Sequence, residues 1–95
     1  MEDRRWERVP VEMQAELFVG ADTLSREARV VDLSWNGARI RAKGMLLKRR
    51  DSVDVVLIGN DNRHRRSARV VWVESVELDT VEAGLQFLQP LGAKA

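Results

Sequence analysis

Asp32-Leu33-Ser34-Trp35-Asn36-Gly37-Ala38-Arg39-Ile40-Arg41-Ala42 is the stretch that decides the fold. Ala38, Ile40 and Ala42 alternate with Arg39 and Arg41, the period of two of a half-buried strand. Asn36-Gly37 precedes it, a dipeptide that marks a tight hairpin because both residues tolerate positive φ. The run from Leu24 to Leu33, through Ala28-Arg29-Val30-Val31, supplies the preceding strand. Further upstream, Met13, Ala15 and Leu17 alternate with Glu12, Gln14 and Glu16, which predicts a strand over 12–19, separated from the next by a turn at Gly20-Ala21-Asp22-Thr23. Downstream, Val53 to Ile58 is β-branched, Asn60-Asp61-Asn62 is a polar turn, and Ser67 to Val73 and Glu82 to Leu88 complete the set.

Six short strands with no long 3.6-residue periodicity point to an all-β, antiparallel barrel or sandwich, and closure into a barrel is the expectation because it removes exposed sheet edges. Met45 to Arg50 has room for one helical turn, whereas Pro90 to Ala95 is too short for a substantial C-terminal helix. Trp72 and Phe87 are expected in the core or at the barrel rim, and Gly84 is expected at a bulge or a close contact.

The chain has 95 residues, room for one domain. Its expected organisation is an N-terminal arm over 1–9, flexible before ligand binds, a barrel over 10–90 and a tail over 91–95. With no cysteine and a single histidine, His64, it has no disulfide, thiolate metal site or cysteine nucleophile, and at most one imidazole base. No stretch approaches the roughly 18 apolar residues of a membrane helix and MEDRRWER has no signal-peptide core, so a cytoplasmic protein is expected, not an enzyme and without metal or other cofactor. Net charge is only +1, which argues against a protein that coats nucleic acid. Yet 13 of its 16 cations are arginine, the side chain suited to bidentate contact with phosphate and base edges.

Two constellations carry chemistry. Arg4-Arg5-Trp6-Glu7-Arg8 sets guanidiniums four residues apart around an indole, able to grip phosphate, pair with guanine or stack on a purine. Taken alone, such a segment is most often a solvated lead-in. In the second, Asp32 and Ser34 are two residues apart, hence on one face, and Gly37 follows. The carboxylate can accept from a guanine N1–H and amino group and the serine can donate or accept, but Asp, Ser, Asn and Gly are also ordinary turn residues. Arg63-His64-Arg65-Arg66 reads as a solvated edge that guards against aggregation, with no ligand assigned.

Together and in this order, Arg4-x-x-x-Arg8 and Asp32-x-Ser34-x-x-Gly37 resemble the paired signature of the PilZ domain family. Ala68-Arg69-Val70-Val71-Trp72-Val73 and Ala83-Gly84-Leu85-Gln86-Phe87 are similar to that family's later strands, so the resemblance spans nearly the whole chain. It implies a six-stranded antiparallel barrel that binds the bacterial second messenger cyclic di-GMP on its outer surface. By the same resemblance, Arg4 and Arg8 would hold phosphates and guanine edges or faces with Arg5 as helper, Asp32 and Ser34 would take guanine polar atoms, and Gly37 would shape the turn. Asp3 stands where a side chain can influence whether one nucleotide or an intercalated pair binds, which leaves stoichiometry open.

The resulting expectation is a stand-alone cyclic di-GMP receptor, monomer or weak dimer, that signals to an unidentified partner protein in motility, surface attachment or biofilm formation. It would bind no nucleic acid and insert in no membrane. Two rivals are a PilZ-fold interaction module that binds no nucleotide, opposed by the intact motifs, and a small nucleic-acid-binding barrel, opposed by the near-zero net charge.

Overall fold

The computed structural model describes residues 9–20, 24–44 and 47–89, and every regular element among them is a strand. These are β1 (Val9–Val19), β2 (Arg26–Ser34), β3 (Gly37–Lys43), β4 (Ser52–Ile58), β5 (Arg63–Glu77) and β6 (Thr80–Phe87). They close into an antiparallel barrel in the order β1-β2-β3-β6-β5-β4, with β4 pairing back onto β1. The all-β barrel expected from the six runs is therefore the fold.

Leu17, Val30, Ile40, Val55 and Val70 are fully buried, one from each of β1 to β5, and Ala83 and Leu85 join them from β6. Each buried branched side chain contributes about 1.5–3 kcal/mol. Alanines at 15, 38, 42, 68 and 83 fill the remaining inward positions, where a narrow barrel has little room.

Several boundaries differ from the sequence reading for identifiable reasons. β1 begins at Val9 rather than Glu12: Pro10, which has no N–H to donate, is accommodated opposite Asp32 by a register irregularity between Pro10 and Met13. β5 starts at Arg63, ahead of its apolar run, because the basic segment pairs with β4 from Ile58↔Arg63 to Val55↔Arg66. Ion pairs Arg63–Glu16 and Arg65–Asp54 bind it laterally, and the Arg65 guanidinium lies 4.6 Å from the centre of the Phe18 ring. Its other flank passes beyond β6, which ends at Phe87 opposite Ala68.

Between β3 and β4, Leu47 is buried and residues 48–51 form a turn, not a helix. Asp51 accounts for this, since its carboxylate accepts the Lys48 N–H at 2.8 Å and its own N–H donates to the Lys48 carbonyl at 3.1 Å. Met45 and Leu46, the 21–23 part of the first turn, Arg4, Arg5, Arg8 and the tail over 91–95 lie outside the described residues.

Candidate functional site on the outer wall

Strict alternation along β2 would carry Asp32 and Ser34 inward behind Ala28 and Val30. A bulge prevents it. Val30 pairs with Ile40 while Asp32 pairs with Arg39, so Val31 is an extra residue without a counterpart on β3. Beyond it Leu33 faces the core opposite Ala38, and Asp32 and Ser34 turn together onto the outer wall beside Gly37. Both remain buried, at 7% exposure each.

The carboxylate of Asp32 sits 2.9 Å from Nε of Arg39, the residue opposite it on β3. The Nε–H is not aligned for a hydrogen bond, so the contact is an ion pair. Arg39 also reaches Glu82 on β6 at 3.8 Å, and Glu82 accepts hydrogen bonds from Nε and a terminal nitrogen of Arg41. Two buried carboxylates and two half-exposed guanidiniums thus alternate along the wall. Each carboxylate is retained out of water because a cation faces it.

Ser34 Oγ lies 2.9 Å from Asn36 Oδ1 and 3.3 Å from the Gly37 carbonyl oxygen, donating within the turn. The hairpin loop is Trp35-Asn36, with Ser34 paired to Gly37, and among the described residues only Gly20, Gly44 and Arg50 have positive φ. The tight turn is present, but its glycine is needed for a different reason: a Cβ on Gly37 would collide with the Leu85 carbonyl of β6. The Phe87 N–H then donates to the Asn36 carbonyl at 2.8 Å and fastens β6 to the hairpin tip.

A second bulge extends the wall. Val70 pairs with Leu85 and Trp72 with Gly84, leaving Val71 extra on β5, so Trp72 faces outward instead of following Ala68 and Val70 into the core. Its indole lies directly on Gly84, where any Cβ would meet the ring. Phe87, by contrast, is in the core. Register therefore places Asp32, Arg39, Gly84 and Trp72 in one row across β2, β3, β6 and β5.

Of the sequence-predicted residues, Asp32, Ser34 and Gly37 are brought together; Arg4, Arg5 and Arg8 lie outside the described residues. Arg39, Glu82 and Trp72 were not singled out for the site. Alternation marks Arg39 as outward-facing, but only strand pairing sets it opposite Asp32. Among the described residues no group of three His, Cys, Asp or Glu is placed to hold a metal ion, and no helix is long and apolar enough to cross a membrane.

A barrel this narrow is filled by its own side chains, so what it offers a ligand is its outer wall. Comparison with protein families matches the PilZ domain over residues 2–95. The chain belongs to the PilZ domain family, a family of cyclic di-GMP receptors. No curated protein matches it.

Proposed function

We propose that the protein is a cyclic di-GMP receptor that holds its ligand against the outer wall at Asp32, Ser34 and Gly37, with Arg4, Arg5 and Arg8 closing over it. The supporting observation is the bulge at Val31, which turns a carboxylate and a hydroxyl to the same outer face beside a glycine. Asp32 supplies an acceptor for a guanine N1–H and amino group, Ser34 a small polar contact, and the arginines counter-charge for two phosphates and flat partners for the bases. Arg39 must yield part of its hold on Asp32 for a base to reach that carboxylate.

The protein reads its ligand and carries out no chemistry on it. The arm is residues 1–8, since Val9 already belongs to β1; the nucleotide supplies the counter-charge that its arginines need to close, and the closed arm is the surface that a partner protein recognises. Calorimetry tests the site. Losing a charge-assisted hydrogen bond costs roughly 1.5–3 kcal/mol, so Arg8→Ala and Asp32→Ala should each weaken cyclic di-GMP binding by at least about tenfold. Wild-type affinity in both, with the barrel intact by circular dichroism, would overturn the assignment.

A further inference from the structure

The outer wall has a second concentration of guanidiniums, in a groove of about 440 Å³ lined by Arg49, Arg50, Arg69, Val70 and Val71. Elsewhere on the barrel five of the seven described arginines are matched to acids, Arg29 with Glu12, Arg39 with Asp32 and Glu82, Arg41 with Glu82, Arg63 with Glu16 and Arg65 with Asp54, while Arg26 and Arg66 meet no acid among the described residues. Among the described residues no carboxylate pairs with Arg49, Arg50 or Arg69. The nearest acid in sequence, Asp51, already accepts the Lys48 N–H. Three like charges around one groove repel one another unless an anion enters.

The backbone beneath them is held firmly and at a cost. Arg50 has φ of 79°, the only non-glycine among the described residues in that region, where a side chain is sterically disfavoured. Glycine or asparagine would suit the turn better, yet the position carries a guanidinium. Two hydrogen bonds fasten the turn to β5: the Arg50 N–H donates to the Val70 carbonyl at 2.7 Å, and the Val70 N–H to the Asp51 carbonyl at 2.9 Å. Arg69 faces outward between the buried Ala68 and Val70, and the β5 bulge leaves Val71 exposed as an apolar margin. The cations are thus mounted on a turn and a strand joined to each other, which lowers the ordering cost of binding.

We infer that Arg49, Arg50 and Arg69 form a second anion site that takes a multivalent phosphate group. Guanidinium forks suit phosphate oxygens, and three of them favour a di- or trianion over a monoanion. Register sets Arg69 in the same cross-strand row as Ser34 and Gly37, two strands beyond Gly37 across Gln86, and Arg49 and Arg50 lie in the turn that leads into β4, so the groove extends from Arg69 toward β4 and away from Asp32 and Ser34. The inference does not depend on the cyclic di-GMP reading. The phosphate comes either free in solution or on a lipid headgroup.

The experiment uses the full chain labelled with nitrogen-15 and titrated with sodium pyrophosphate at constant ionic strength. A parallel arm measures cosedimentation with vesicles containing phosphatidic acid, whose phosphomonoester headgroup can carry two charges. Saturable amide shifts at residues 49–51 and 69–71, with an affinity of about 1 mM or tighter, are expected for a free phosphate. Vesicle binding without those shifts assigns the headgroup, provided it too is lost in the variants. Arg50→Gly keeps the backbone conformation and removes the charge, and Arg69→Gln keeps a polar side chain; each should weaken binding roughly tenfold. The inference is overturned if both arms are negative, if shifts gather at residues 32–37 instead, if citrate binds as tightly as pyrophosphate, or if the double variant binds like wild type.

Discussion

Gly84 and Trp72 form a contact whose strength can be worked from the geometry. An alanine Cβ at position 84 would sit inside van der Waals distance of three indole atoms, Nε1, Cε2 and Cδ1. The ring must lift by more than an ångström to reach ordinary separation, and an overpacked contact of this kind costs about 1–3 kcal/mol. Against that, Gly→Ala restricts the unfolded chain and returns about 0.4–1 kcal/mol. The net expectation for Gly84→Ala is a loss of about 1.5 kcal/mol; with an unfolding entropy of about 2.1 cal/mol/K per residue, that lowers Tm by roughly 7 °C. In a Trp72→Ala background the obstruction is gone, and the same change should be neutral or slightly stabilising. Thermal and urea unfolding of wild type, the two single variants and the double variant close the cycle, with an expected coupling of about 1.5–2 kcal/mol. A coupling near zero would refute the placement of Trp72 on the outer wall, and with it the β5 bulge.

Three further predictions concern the wall and the arm. Gly37→Ala drives a Cβ into the Leu85 carbonyl, which as backbone cannot rotate away, so it should destabilise by about 1–3 kcal/mol in urea unfolding. Glu82→Ala leaves Arg39 and Arg41 facing each other without their shared carboxylate; a loss of about 1–2 kcal/mol, reduced at high salt, is expected by the same method, and no change would show that solvent already screens the pair. Deleting residues 1–8 should abolish cyclic di-GMP binding in calorimetry while circular dichroism still reports a folded barrel. Relaxation measurements on the free protein that find residues 4–8 as rigid as the strands would refute arm closure.

Much of this molecule was legible in its sequence. Ala38-Arg39-Ile40-Arg41-Ala42 and Met13 to Leu17 display their inward faces directly, because side-chain direction in a strand alternates regardless of what the strand packs against. Six such runs and a hairpin turn were enough for an antiparallel barrel, and the spacing of Asp32, Ser34 and Gly37 was enough to group them. Alternation also misleads wherever a strand gains a residue. Read straight through, Ala28-x-Val30-x-Asp32-x-Ser34 and Ala68-x-Val70-x-Trp72 each continue one face, which would bury the aspartate, the serine and the indole in the core. Bulges at Val31 and Val71 reverse the faces of the residues that follow them, Asp32 to Ser34 on β2 and Trp72 to Ser75 on β5. A bulge is a mismatch in length between two paired strands, so it belongs to the pair and is invisible in either strand alone. For the same reason Gly37 looked like a residue chosen for its φ, when its missing side chain makes way for the Leu85 carbonyl. The partners of Asp32 and Glu82 follow likewise from register: Arg39 and Arg41 were visibly outward, but Arg39 meets an acid 7 residues away only through the bulged pairing of the β2–β3 hairpin, and Arg41 meets one 41 residues away only once β6 pairs with β3.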